Sequence, residues 1–433
     1  METKTLKDDL FWDWMATDRS VTKGGINAYL HTIAFNQLDT GYIIELMHEY
    51  DYREPSVIMD NLSFCMPRWY FLEIQFCAKM YSTIFGKVFP PLVSQVDQLA
   101  YIEWLLYTEP SSLRYRDHLV HMFKVAFVGD QLLAIREFLS RITGWQFSSS
   151  HFISWCKQRK ILIDKWKLND KKEVLKIAFF LAALFHDLGY GYFFLTKYKE
   201  RLFKLYPWLL PRADPTDTNT SSTRMLLQSL PSFFIGKHHA WLSSVISGNT
   251  DLVLAGFYRD CLPLNHSIAS TFFVVDVAEK LLTSGALTPK LYVAFQLAAE
   301  ACMIHDMINE DTWVHLVKKE NGHFIDCNDH QSVPLAMLLI LADELSVWSR
   351  PSLTIEQGQE GVVSYRLDKS RVPSKIEISV TERNKQNEIK IVPDQAHGLI
   401  EERFLRELKC LKYKSNDKRA KIFDYVINIS SSC

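Results

Sequence analysis

The nine-residue apolar run IAFFLAALF (177–185) leads directly into His186 and Asp187. A stretch apolar on all sides has to be buried on all sides. A second run, VPLAMLLILA (333–342), is followed at once by Asp343. Both fall well short of the ~20 residues that a helix needs to cross a bilayer, so both read as helices of a protein core. Each run ends in a carboxylate, and a carboxylate in such surroundings pays a heavy desolvation cost without a partner. A divalent cation is one partner that would offset it. Taken alone, His186 and Asp187 admit two readings, a polar helix end or a pair of metal ligands.

Helical periodicity continues on both sides of these runs. IIELMHEY (43–50) and QLAYIEWLLY (98–107) carry apolar residues at three- and four-residue spacing, so residues 1–105 read as helical, broken by Pro67, Pro90 and Pro91. From 106 to 350 the helices become more apolar. They comprise one long helix beginning in RYRDHLVHMFKVAFVGDQLLAIREFL (114–139), the run ending at His186, and further helices at 267–282, 292–308 and 334–348. IDKWKLNDKKE (163–173) reads as a solvated charged loop, and PRADPTDTNTSST (211–223) as a mobile one. After 350 the pattern changes. IEISVTE and IKIVP alternate as strands do, EERFLRELKCL reads as a helix and YVINISS as a last strand, which makes 351–433 a small α+β region. The expected fold class is mainly α, a helical bundle with a helical N-terminal region and a small C-terminal α+β appendage.

Composition narrows the partners. Lys+Arg number 49 against 50 Asp+Glu, a net charge of -1, so no global field recruits nucleic acid, although a local basic patch is compatible with that balance. No membrane partner is expected, and METKTLKDDL lacks the apolar core of a signal peptide. Eight scattered cysteines without a CxxC pair suit the reducing cytoplasm.

Within 106–350 the histidines and aspartates fall at helix ends. His118 and His121 share one helical face. His186 and Asp187 end one apolar helix, His266 begins another, His305 and Asp306 end a third, and Asp343 interrupts a fourth. Imidazole with carboxylate suits Mn, Fe, Zn, Co or Ni, and Mg less well. With no cysteine at these positions a cysteine-based structural zinc site is not indicated. His238 and His239 read as an exposed turn, Asp276 and Asp306 as capping or solvated groups, and His323 and His330 as loop residues.

The ordered set RDHLVH…HD…H…H…D resembles the HD superfamily of metal-dependent phosphohydrolases, over roughly 116–350. YRDHLVHMFKV is similar to the HNxxH segment of the cyclic-nucleotide phosphodiesterases, LAALFHDLGY to the HD helix, and LLILADELSVWSR to the helix bearing the final metal-binding Asp. The resemblance implies an all-helical HD-type domain over 106–350 and hydrolysis of a phosphate ester, most simply a nucleotide or cyclic-nucleotide phosphodiester. It implies two divalent metal ions. His121, His186, Asp187 and Asp343 would bind the first, Asp187 would bridge to the second, and His266 and His305 match the further histidines of the two-metal branch. The implied roles are Asp187 as bridge and water orienter and His118 as general acid. Tyr190, Tyr192, Phe193 and Trp348 could stack a base, and Gln331 is a candidate for holding it. Asp117 stands where the family has its proton-donating His, His118 replaces its Asn, and no Gly-Tyr-Pro motif follows, so the substrate stays open between branches. The alternative is a non-catalytic HD module that binds a nucleotide or a partner protein.

Overall fold

The apolar runs that precede His186 and Asp343 are helices, and the chain is mainly α-helical with a small β appendage. A computed structural model describes chiefly residues 2–16, 68–85, 118–148, 150–190, 266–285, 287–305, 334–346, 352–357, 363–368, 374–383, 386–394, 421–422 and 425–429. The helices expected at 43–50 and 401–411, most of that at 98–107, and the loop at 211–223 lie outside them. So do His238, His239, Asp306, His323, His330, Gln331, Tyr192, Phe193 and the side chain of Asp276. The chain divides into two compact units, Met1–Ile135 with Leu341–Arg406 and Arg419–Cys433, and Arg136–Ile340 with Glu407–Lys418.

In the first unit the N-terminal residues depart from the helical expectation. Glu2–Lys7 is a strand (β1), antiparallel to Lys375–Arg383 (β4) with Leu6 opposite Ile376. Thr3 and Thr5 favour extended backbone, and β4 supplies the hydrogen-bonding partner. β4 pairs antiparallel with Gln386–Pro393 (β5), placing Ile378 beside Ile391 and Val380 beside Ile389. Tyr425–Ile429 (β7) then joins parallel to β5, and Lys421–Ile422 (β6) closes the edge, for the order β1-β4-β5-β7-β6. Ser352–Gln357 (β2) and Val363–Asp368 (β3) form a separate hairpin that the sequence pattern did not announce. The strands expected in IEISVTE, IKIVP and YVINISS are β4, β5 and β7.

Two acidic residues, Asp8 and Asp9, open helix α1 (Asp8–Ala16), where the exposed amides and positive end of the helix favour them. Arg68–Phe85 is α2, and His118–Leu133 is α3, buried along most of its length. The single long helix expected after residue 114 is two, because α3 stops at Leu133 and a new helix, α4, starts at Arg136. The Ile135 amide reaches back only to the Leu132 carbonyl, at 3.1 Å, which tightens the last turn of α3. α1 packs on α3 through Phe11, Trp14 and Phe127, and Trp348 meets the Phe127 edge. Asp130 of α3 accepts the Trp14 indole N–H at 3.1 Å and the Tyr29 hydroxyl. Lys124, also buried, pairs with Asp8 at 3.3 Å.

The second unit carries α4 (Arg136–Ser148), α5 (Ser150–Gln158), α6 (Leu168–Phe185), α7 (His266–Thr283) and α8 (Pro289–Ile304). Helix α9, Pro334–Leu345, begins in this unit and ends in the other. The expected loop at 163–173 is shorter than its charge implied, since Ile163–Lys165 is a 3₁₀ turn and α6 has begun by Leu168. Asp170 drives that early start by accepting the Lys167 backbone N–H at 2.9 Å, half of a capping box. α8 starts on Thr288, whose hydroxyl accepts the Leu291 amide, with Pro289 in the first turn.

α8 packs against both α6 and α7, and the small residues Ala178, Ala182 and Ala183 of α6 and Ala294, Ala298 and Ala301 of α8 are all buried. Lys290, at the start of α8, reaches Asp170, near the start of α6, at 2.7 Å. The rings of His186 and His305, just beyond the other ends of these helices, lie 5.2 Å apart. α6 and α8 therefore run parallel. α7 starts at His266, beside His305, and runs the opposite way. Among the described residues no single helix is long and apolar enough to cross a membrane.

Candidate metal centre

α6 and α8 end in the same way. In each a histidine forms the C-cap, bonded by its backbone amide to the carbonyl four residues earlier, Ala182 for His186 and Ala301 for His305. In each the Nδ1 atom donates to the carbonyl three residues back, Ala183 for His186 at 2.8 Å and Cys302 for His305 at 2.5 Å. That bond fixes the tautomer. A neutral imidazole whose Nδ1 carries the proton presents a bare lone pair at Nε2. Backbone carbonyls holding the far nitrogen are what orient the imidazoles of metal sites.

Both Nε2 atoms point to one carboxylate oxygen. Asp187 Oδ1 lies 3.5 Å from His186 Nε2, 3.4 Å from His266 Nε2 and 3.9 Å from His305 Nε2. His266 Nε2 and His305 Nε2 face each other at 3.2 Å. With the His305 proton committed to Cys302, an acceptor nitrogen there needs a proton or a cation opposite it. Asp187, His266 and His305 place one ligand atom each within 4.8 Å of the others. Ligands held ~2.1 Å from a common ion at tetrahedral or octahedral angles stand roughly 3.0–3.5 Å apart, so small shifts bring this triad to coordination distance. The cluster is largely buried, His186 being fully so and Asp187 only 5% exposed.

The Cys302 thiol stands beside this spot as a hydrogen-bond donor. Burial, and after it the negative charge of Asp187, hold the Cys302 thiol well above its usual range, so it stays protonated and donates to the Ala182 carbonyl at 3.5 Å. The atoms that Asp187, His186, His266 and His305 bring together are nitrogen and oxygen.

Two further residues support the cluster, Ser270, which the sequence does not single out, and Tyr190, which it offers as a base-stacking ring. Ser270, one turn after His266 on α7, donates to the His186 carbonyl at 2.6 Å and accepts the Gly189 amide at 2.9 Å. It is fully buried and fastens the turn carrying His186 and Asp187 to the helix carrying His266. Tyr190 stacks on the His266 ring, centroids 3.9 Å apart at 15°. One face of that phenol is therefore taken up by the imidazole. The positional signal for Ser270 was present, a hydroxyl four residues from a candidate ligand on a buried helix, but nothing in the sequence says which neighbour that hydroxyl meets.

The first unit holds the other pair. His121 Nε2 lies 2.6 Å from Asp343 Oδ1. Ser346 spends its single proton on the Asp343 carbonyl at 2.7 Å, so its oxygen accepts from His121 Nδ1 at 2.9 Å. The same logic follows. Nε2 of a neutral His121 is a lone pair against a carboxylate, a contact that requires a proton or a metal ion between them. His118, one turn before His121, is buried at the first position of α3. Trp348 does not offer a base-stacking face, because it is fully buried beside Phe127 with the Lys124 ammonium 5.4 Å over its ring. The structure thus brings Asp187, His186, His266 and His305 together in one unit, and His121 and Asp343 together in the other.

Compared with family models, with characterised proteins and with solved structures, the chain matches none.

Proposed function

We propose that this chain is a metal-dependent phosphohydrolase acting on a nucleotide or cyclic-nucleotide phosphodiester. The observation that carries the reading is the Asp187 carboxylate ringed by His186, His266 and His305 in a buried site, with two of the three imidazole tautomers set by backbone carbonyls. Such a cluster is costly without a cation and well formed for one. The residue types and their order in the chain support the wider set, His121, His186, Asp187, His266, His305 and Asp343, as ligands of two divalent ions.

When bound, a pair of such ions lowers the pKa of water to about 7 and neutralises the phosphoryl oxygens. The chain's own residues do the rest. Asp187 would help to hold the ions and would orient the attacking water. The carbonyls of Ala183 and Cys302 keep His186 and His305 in the tautomer that presents Nε2. Burial of the cluster limits water and strengthens each of these interactions. His118 supplies the proton to the leaving oxygen. The substrate is a small nucleotide, and the compartment is a reducing cytoplasm, in keeping with the buried cysteines Cys77, Cys156 and Cys302, none of them in a disulfide.

Hydrolysis of bis(4-nitrophenyl) phosphate, followed by a nucleotide panel, tests the reading with Mn, Co, Ni and Mg each added in turn. Metal-dependent release of nitrophenol is expected. Absence of turnover in protein that demonstrably binds these ions would reassign the chain as a non-catalytic HD module.

A further inference from the structure

The two ends of the α6–α7–α8 group differ in chemistry. The histidines and Asp187 gather at one end, and 18-residue helices place the other end ~27 Å away. That far end is the basic and apolar one. Between 157 and 176 the chain has eight Lys or Arg and three Asp or Glu, a local balance of 8 − 3 = +5 in a protein of net charge -1. Lys157, Arg159, Lys160, Lys165 and Lys167 are all exposed. Of the acids, Asp170 is held by Lys290 at 2.7 Å, Glu173 lies 3.8 Å from the same ammonium and Asp164 is exposed, so the lysines and arginine still outnumber the uncommitted carboxylates.

Leucines stand out from this basic ground. Leu162 is 58% and Leu168 55% exposed, the highest values for any large apolar side chain among the described residues, and Leu282, at the end of α7, follows at 41%. Backbone geometry sets the outward aim of Leu162. Lys160 adopts φ 59°, in the left-handed region, and α5 closes with Ile161 N–H on the Cys156 carbonyl at 2.8 Å and Lys160 N–H on the Lys157 carbonyl at 3.0 Å. This is the Schellman arrangement, normally built on glycine. It turns the chain so that Ile161 and Ile163 are buried while Leu162 between them is not. An exposed leucine between two buried isoleucines, flanked by lysines, is poor surface for a protein meant only for water.

We infer that this end of the second unit docks peripherally on an anionic phospholipid surface. The lysines and arginine meet the headgroup phosphates, and Leu162 and Leu168 enter the boundary between headgroups and acyl chains. This mode needs no spanning helix and sets aside the expectation that the chain has no membrane partner. Docking by this end leaves the histidine end directed away from the lipid. Single-stranded nucleic acid is the less suitable occupant, because base stacking calls for exposed aromatic rings. Trp166, the aromatic residue here, is half-buried against Phe147.

Co-sedimentation of the full chain with vesicles decides it. The protein is expected to partition onto phosphatidylcholine vesicles containing about a third phosphatidylglycerol at least tenfold more strongly than onto phosphatidylcholine alone, and to be released by about 0.5 M salt. Leu162→Ser with Leu168→Ser, and separately Lys165→Glu with Lys167→Glu, should each reduce partition roughly tenfold at unchanged circular dichroism and metal content. Protein that stays in solution with anionic vesicles, or a serine double variant that sediments like the wild type, overturns the inference. So does tighter binding to a single-stranded oligonucleotide that the leucine changes leave untouched.

Discussion

The two ends of α6 and α8 each join the helices through a carboxylate, and they could hardly do so under more different conditions. At the N-terminal ends Asp170 meets Lys290 in water, where hydrogen bonding to the ammonium holds the Asp170 carboxyl below its usual range and raises the lysine. The pair is complete and solvated, and such surface pairs contribute little. At the C-terminal ends Asp187 is buried among three imidazoles, with two Nδ1 protons already committed to carbonyls. Between them, in mid-helix on α8, Glu300 shows what a buried carboxyl does with only an amide for company. Burial pushes it up to about 8, a rise that the Gln146 side chain only partly offsets, so it takes a proton and stays neutral at pH 7. Burial decides which acidic group needs a ligand, and the neighbouring groups decide whether that ligand is a proton or a metal ion.

Each of these contrasts can be broken. The largest effect belongs to Asp187→Ala, which should take both metal content and phosphodiesterase turnover to background while the protein stays folded, read by elemental analysis and circular dichroism. Full activity in a folded Asp187→Ala protein would falsify the assignment. His118→Ala should retain its metal and lose rate, read as kcat falling with KM little changed. Ser270→Ala removes the tie between the His186 carbonyl and α7, and metal affinity should fall ~10–100-fold in a titration, with Ser270→Thr recovering most of it. An unchanged affinity would make Ser270 a packing residue only.

The Glu300 prediction concerns stability. Its folded value, about 8, lies above the ordinary 4.5. The contribution is therefore fully present below about pH 4.5 and is lost as pH rises through about 8, by at most about 1.4 kcal/mol per pH unit. Glu300→Gln should flatten that slope, seen as urea midpoints that no longer fall between about pH 5 and about pH 8. The smallest effect is at the solvated end, where Lys290→Ala should leave the thermal midpoint indistinguishable from wild type.

Much of the helical part was legible because burial imposes a period on the sequence. The apolar runs before His186 and Asp343 are observed as α6 and α9, and the alternation in IEISVTE and IKIVP became β4 and β5. β1 was not legible, since a single buried leucine in ETKTLK cannot announce a strand whose partner lies some 370 positions away. The break between α3 and α4 was hidden too, since no Pro or Gly marks it. At the candidate site the ligand types could be read, as histidines and aspartates at helix ends. The carbonyl bonds that fix the tautomers, the Ser270 tie and the stacking of Tyr190 on His266 could not, because each depends on a contact made after the helices have packed.

The most direct test is the metal content of the purified wild-type chain, loaded with Mn and dialysed, beside that of Asp187→Ala treated in the same way. Close to two ions per wild-type chain and none held by the variant is the outcome expected here. Folded wild-type protein that retains no divalent ion, or a variant that retains as much as the wild type, would contradict it.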